Sequence, residues 1–334
     1  MGSGSVFTKR LGIAWCLWFL LAPAVLAAQE FLTLQDRIIE VFQQREGTVA
    51  KVKAAFSTEE GDGRRSLRVG SGFFVSANGH LLTNASVVEG AERIWIEHHQ
   101  LSFPAKLIGA DTRSNVALVQ IKENGENFDF ISLGSTEVPP IGTLLISIAC
   151  ALDFEPAPAM GLVSGHETQF GERVFPTLYL RTTLPANPGE GGAPVLDFAG
   201  RFAGMIVASL PEVRSSYVIP GRAVARIRDD LMAMGKVDYG WIGIEVEPRF
   251  ANAEGRQLVI AEVSEGGPSE RAGLRDGDVL LAMNGVRLST LAQLRHDFFL
   301  IRSGEMVVFD VKRYDRVRRI SVEVEKPQGL SNGL

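Results

Sequence analysis

Cysteine is almost missing from this 334-residue chain, with Cys16 in an apolar N-terminus and Cys150 far downstream. If the N-terminus is removed, a single thiol remains and no intramolecular disulfide can form, so stability must come from packing. A chain of this length can bury two or three cores without covalent help. The residues around the remaining thiol, Ile146, Ile148, Ala149, Ala151 and Leu152, are apolar, which marks Cys150 as buried and inert rather than reactive. Basic blocks are lacking too. No Lys/Arg run and no interleaving of basic and aromatic residues appears, which excludes a nucleic-acid surface. Composition is otherwise ordinary, at 46% hydrophobic and 22% charged, with no disordered or collagenous bias.

The N-terminus carries a targeting pattern. Lys9-Arg10 precede an almost uncharged apolar stretch from Leu11 to Leu26, and Val25-Leu26-Ala27 is a small-residue cleavage signal. The expectation is a signal peptide over 1–27, with Pro23 near its end. An uncleaved membrane anchor is the alternative, since about 18 apolar residues can just span a bilayer. Both readings export the rest of the chain, and the lack of disulfides suits a periplasm. Losing Lys9 and Arg10 from the 34 basic residues leaves 32 against 39 acidic ones, a net of −7.

Beyond residue 28 three parts are legible. Residues 28–65 place Leu32, Ile38, Ile39, Val41 and Phe42 at helical intervals and then alternate like a strand over residues 49–56. Residues 66–236 read as short strands separated by turns. Ser71–Val75 and His80–Thr83 flank Asn78-Gly79, a strong hairpin signal. Further strand-like runs cover 91–97, 105–108 and 116–121, and a helical run covers 221–234. Strands at this spacing indicate barrels or a sandwich rather than βαβ units. Residues 240–326 form a small unit of their own. Strands are expected at 241–246, 258–263, 279–283, 307–313 and 319–324, and a helix over 291–301 after Ser289-Thr290. Residues 327–334 are a tail.

Five segments in order carry a resemblance: Gly70-Ser71-Gly72-Phe73; Leu82-Thr83-Asn84-Ala85-Ser86-Val87-Val88; the run from Ala110-Asp111 to Leu118; Pro188-Gly189-Glu190-Gly191-Gly192-Ala193-Pro194-Val195; and Tyr217-Val218-Ile219-Pro220. They resemble HtrA-type serine proteases, which implies a trypsin-like double β-barrel. Residues 240–326 resemble a PDZ domain, a β-sandwich with short helices, through Trp241-Ile242-Gly243-Ile244 and the run from Gly267-Pro268 to Val279-Leu280. The implied fold class is all-β dominated, a double barrel followed by one PDZ domain.

The chain departs from the family pattern at all three triad positions. Ser86 stands where the pattern has histidine, Asn115 where it has aspartate, and Gly191 where it has the nucleophilic serine. No serine lies between Ser164 and Ser209 to replace it. Glycine cannot form an acyl-enzyme, serine is no general base near neutral pH, and asparagine cannot hold the working imidazole tautomer. The resulting expectation is a chain that is not an enzyme, a pseudoprotease. The alternative is an endopeptidase with a non-standard constellation around Glu190 or Cys150. Asn84-Ala85-Ser86 is a glycosylation sequon only by virtue of the serine at 86.

The PDZ resemblance implies capture of peptide C-termini by the Trp241-Ile242-Gly243-Ile244 loop, with Ile244, Leu294 and Phe298 as the apolar pocket. The former oxyanion loop, Gly189-Glu190-Gly191, is expected to present N–H groups to a peptide carbonyl. Expected partners are C-terminal or unfolded peptide segments and active HtrA-type relatives. The family also implies a homotrimer, with Phe31 as a contact. No metal site, cofactor or nucleic acid is implied. The expected role is chaperone-like, scaffolding or regulatory, in envelope protein quality control.

Overall fold

Alternating apolar side chains close two six-stranded antiparallel barrels and one open sheet in a computed structural model of the chain. The structure describes residues 33–57, 65–122, 127–134, 137–171, 173–185, 187–210, 214–251 and 255–327. The expected signal segment and Phe31 lie outside these residues, as does the tail from 328 onward. Among the described residues no helix is long and apolar enough to cross a membrane.

The first barrel contains β1 (Val49–Ser57), β2 (Arg65–Phe74), β3 (His80–Thr83), β4 (Arg93–His98), β5 (Leu101–Asp111) and β6 (Val116–Ile121). It closes in the order β1-β2-β3-β6-β5-β4. The second contains β7 (Leu144–Ala149), β8 (Ala157–Phe170), β9 (Arg173–Thr182), β10 (Pro194–Leu196), β11 (Phe202–Leu210) and β12 (Ser215–Pro220), in the order β10-β11-β12-β9-β8-β7. The all-β-dominated fold expected from the sequence is the one observed.

Helix α1, residues 33–45, precedes the barrels. Its Val41 is buried in the core between them, and Arg45 Nε donates to the Gly200 carbonyl at 3.2 Å. β6 shows how one strand serves two cores. Ala117 and Val119 point into the first barrel, while Val116 and Leu118 join the layer between barrels with Phe73, Ile146, Met205 and Ile219. Burial on both faces explains why this strand reads as an apolar run rather than as an alternation. Each large apolar side chain so buried contributes roughly 1.5–3 kcal/mol. A one-turn helix α2 (Ala85–Val88) follows β3, and α3 (Gly221–Met234) follows β12.

The PDZ unit is a sheet in the order β13-β14-β15-β17-β18 with β16 against β15. Its strands are β13 (Ile244–Ala251), β14 (Gly255–Val263), β15 (Val279–Met283), β16 (Val286–Arg287), β17 (Met306–Arg313) and β18 (Arg316–Glu323). Its helices are α4 (Pro268–Ala272) and α5 (Leu291–Phe299), the latter capped by Thr290 Oγ1, which accepts the Gln293 N–H at 3.1 Å. The strand expected from Trp241 begins three residues later. Gly243 adopts a left-handed φ of 71°, which breaks extended backbone, so residues 241–243 form a loop.

Helix α5 is shared between the two parts of the molecule. Leu291, Leu294 and Phe298 pack on the PDZ core, whereas Ala292 packs on the second barrel's core and Phe299 lies in the layer between barrels. Spacings of three and four residues put these two sets on different faces of one helix. His296, 2% exposed, meets Thr177 Oγ1 through Nδ1 at 3.2 Å. Arg302 Nε pairs with Asp230 of α3 at 2.8 Å, Ser303 Oγ donates to Asp238 at 2.7 Å, and the Arg226 guanidinium stacks 4.6 Å from the Phe299 ring.

Candidate functional site

The loop over 187–192 is held by a buried serine of β2. Ser71 N donates to the Gly191 carbonyl at 2.9 Å, and Ser71 Oγ donates to the Gly189 carbonyl at 2.8 Å while accepting the Cys150 N–H at 2.9 Å. Thr83 Oγ1 in turn donates to the Ser71 carbonyl at 2.8 Å. The Glu190 carboxylate, 7% exposed, turns back into its own loop and accepts the Asn187 backbone N–H at 2.6 Å and side-chain N–H at 3.1 Å. Glu190 is thus a loop brace. Among the described residues the backbone N–H groups of Gly189 and Gly191 donate to no acceptor, although the loop's other contacts are well formed.

Ser86, Asn115 and Gly191 come together where the two barrels meet. Asn115, at a left-handed φ of 59°, accepts the Ser86 N–H on Oδ1 at 2.9 Å and donates from Nδ2 to the Val207 carbonyl at 2.7 Å. Its loop is anchored by Asp111, whose Oδ2 accepts from Ser114 N at 2.9 Å and from the Tyr239 hydroxyl at 2.6 Å. Burial beside Asp111 pushes the Tyr239 phenol well above its ordinary range. The Ser86 side chain is exposed, and Arg68 Nη1 donates to the Ser86 carbonyl at 2.7 Å. Asn84, 5% exposed, extends its side chain toward Gly191. A Cβ on residue 191 would lie 2.6 Å from Asn84 Nδ2.

Cys150 is fully buried, and burial pushes its thiol up to about 12. Of the histidines, His80 Nδ1 pairs with Ser76 Oγ at 2.9 Å, His98 Nε2 meets the Gly47 carbonyl at 2.8 Å, and His166 Nε2 meets the Pro139 carbonyl at 2.8 Å. Among the described residues no group of three or more His, Cys, Asp or Glu side chains is placed to hold a metal ion.

In the PDZ unit, Trp241 exchanges backbone hydrogen bonds with Glu325 at 2.7 and 2.9 Å. The Gly243 and Ile242 carbonyls accept from Ser264 at 2.9 Å and Ser269 at 3.1 Å. The N–H groups of Ile242 and Gly243 donate to nothing among the described residues, and β13 pairs only with β14, leaving one edge open. Ile242 and Leu294 are core residues at 5% and 6% exposure, while Ile244 and Phe298 are half-buried at the core's margin. Leu291 shares this margin and was missed, as were the roles of Ser71 and Asn84. The signal for Ser71 was a polar residue inside a strand motif, and for Asn84 its place between β3 and α2.

Two closed six-stranded barrels, followed by a separate open sheet with two short helices, define a trypsin-like peptidase fold joined to a PDZ domain. Comparison with known proteins agrees. A trypsin-like peptidase domain family matches residues 70–205 and a PDZ domain family matches residues 240–324. The chain belongs to the HtrA-type family. It is 30% identical over 273 residues to a probable periplasmic serine endoprotease, DegP-like, of Ectopseudomonas mendocina, covering 78% of this chain and 57% of that protein. A protein of the same description from Chlamydia muridarum is 29% identical over 269 residues, covering 76% and 53%. The chain therefore spans little more than half the length of these curated relatives. Among solved structures, the HtrA-type protease AlgW with tripeptide superposes at a TM-score of 0.70 with 23% identity, covering 87% of this chain and 99% of that one. A serine endoprotease from Yersinia pestis gives 0.59 with 20% identity, covering 87% and 98%.

These relatives correct one expectation. The replaced side chains at 86, 115 and 191 had been read as meaning that the chain is not an enzyme, yet its relatives are named serine endoproteases and its structural neighbours are HtrA-type proteases. Three side chains describe one catalytic constellation only. The braced glycine loop still stands beside them, so the substitutions do not by themselves define a non-enzyme. The relatives' periplasmic descriptions agree with an exported location.

Proposed function

We propose that the chain is an exported peptide-binding member of the HtrA-type family, with a chaperone-like or scaffolding role in envelope protein quality control. The observation that carries this reading is the pair of undonated N–H groups at Ile242 and Gly243 beside the open edge of β13. A peptide C-terminus placed there would give its carboxylate to the loop and its backbone to β13, with its last apolar side chain against Ile244, Leu294 and Phe298. Solved relatives described as HtrA-type proteases with tripeptide or decapeptide support the reading. The glycine loop at 189–191 would hold a second stretch of bound chain in the barrel cleft. Active relatives and a homotrimer are the proposed partners, and the N-terminal segment is the proposed means of export or anchorage.

Fluorescence titration with short peptides ending in a hydrophobic residue tests this. Saturable binding that weakens at least tenfold when Gly243 is replaced by valine is expected, because a Cβ there meets the Trp241 ring and the left-handed φ disfavours it. Absence of saturable binding to the unaltered chain would remove the reading.

A further inference from the structure

We infer that the outer edge of β18 is a second docking surface, taking an extended acidic segment of another protein as an added strand. It lies on the opposite side of the PDZ sheet from β13 and is independent of the loop at 241–243.

Sequence order scatters the charges that the β17–β18 hairpin gathers. Residues 312–319 hold the basic side chains of Lys312, Arg313, Arg316, Arg318 and Arg319 against the single Asp315, in a chain whose net charge is −5. Part of this charge is neutralised within the fold. Arg313 takes both oxygens of the buried Asp278, at 2.6 and 2.7 Å, and Arg319 pairs with Asp310 at 2.7 Å. Arg316 and Arg318 are exposed, and among the described residues neither makes a hydrogen bond or an ion pair.

Register puts these two together. Arg316 stands opposite Arg313 and Arg318 opposite Val311, and residues two apart on a strand share a face. Setting Arg316 across from Arg313 places like charges on one rung, which disfavours the hairpin. Val317 lies between the two arginines on the other face and is 66% exposed. Packing within the PDZ unit accounts for neither the unpaired guanidinium groups nor the bare valine.

The backbone beside them is open. β18 is the last strand of its sheet and, among the described residues, pairs with β17 alone. Charges on such an edge guard it against a second copy of itself, because like strands repel. The same charges favour a strand of opposite sign, so the edge discriminates between occupants. Strand addition supplies main-chain hydrogen bonds, and the alternation sets the side-chain pattern. Acidic residues face Arg316 and Arg318, and a β-branched apolar residue faces Val317. The neighbouring carboxylates do not fill this role, since Asp278 and Asp310 are held by Arg313 and Arg319, and Asp315 sits in the turn before β18. A sulfated polymer or a lipid surface would use the charges and leave the open ladder unmatched.

Hydrogen exchange read by mass spectrometry on the full chain tests this, with acetyl-Thr-Val-Glu-Val-Glu-Val-Thr-amide as the probe. Its blocked C-terminus offers the loop at 241–243 no carboxylate, so failure here is distinct from failure of the proposed function. The expected result is slowed exchange of backbone amides within 316–320, with no such effect from a counterpart carrying lysine at both glutamate positions. Anisotropy of a fluorescein-tagged probe should show binding that weakens roughly tenfold when Arg316→Glu and Arg318→Glu are combined, two changes at exposed sites. Equal protection by the glutamate and lysine probes would overturn the choice of an acidic partner. Protection confined to β13 would overturn docking at this edge. Binding that leaves 316–320 unprotected would mean a charge-only contact, and would overturn strand addition. If the glutamate probe does not bind, the inference falls, while capture of free C-termini at Ile242 and Gly243 is untouched.

Discussion

Asn115 and Ser86 are bonded to each other, Oδ1 of the first accepting the backbone N–H of the second at 2.9 Å. Two positions 29 residues apart in sequence are thus tied into one corner, and the same asparagine spends its amide donor on Val207 of the second barrel. The corner is built from both barrels and depends on backbone geometry more than on the side chains it displays.

Two adjacent glycines should therefore respond differently to alanine. At Gly191 a new Cβ meets the end of the flexible Asn84 side chain, and a loss below about 1 kcal/mol is expected. At Gly192, with a φ of 93°, the Cβ would run into the Ser71 carbonyl, and roughly 3 kcal/mol should be lost. Urea denaturation of both variants measures this directly; a ranking in the opposite order would contradict the loop geometry.

Cys150 should be chemically silent in the folded chain. Burial holds the thiol protonated up to about 12, and only the thiolate reacts. Iodoacetamide at pH 8 should leave Cys150 unlabelled by peptide mass spectrometry until denaturant is added. Fast native labelling would show that the thiol is open to solvent.

Acid should weaken the contact between PDZ unit and barrel through His296. Burial, with Arg222 and His166 nearby, lowers its pKa from 6.5 to about 4. The unfolded chain then binds the proton first, so stability falls as pH drops from 6.5 toward 4, by roughly 3 kcal/mol at the low end. His296→Gln should flatten this segment of a stability profile measured in urea from pH 7 to pH 4. An unchanged profile would place the acid sensitivity elsewhere.

Asp230 should matter far more than its partner Arg302. The carboxylate is 2% exposed and also faces Arg226, itself 5% exposed, so Asp230→Ala leaves a buried guanidinium unpaired at a cost of about 3–5 kcal/mol. Arg302 is over one-third exposed, and Arg302→Gln should cost no more than about 1 kcal/mol. Thermal melts of the two variants settle the order.

Much of the fold was legible because turn chemistry and strand alternation are local. Asn78-Gly79 marked the turn between β2 and β3, Ser289-Thr290 marked the start of α5, and the motif order gave the double barrel. What stayed hidden depends on which core a face meets. Leu294 and Phe299 look alike in sequence, yet one packs on the PDZ sheet and the other between the barrels. Glu190 reads as a surface charge, and only the fold of its loop turns it inward onto Asn187. The three replaced triad positions could be read by motif, but the occupation of that corner by Asn84 could not, because it follows from a missing Cβ on a residue 107 positions away.

Helix α5 has no side left over. Its residues pack on the PDZ core with one face and on the barrel cores with the other, so the PDZ unit is not an interchangeable cassette. Grafting it onto another scaffold would bare Ala292, His296 and Phe299, and deleting it would uncover apolar surface on both barrels. Recombination that respects the apparent boundary near residue 240 would therefore cut through a packed seam, and the two halves can be exchanged only together with the residues that each presents to this helix.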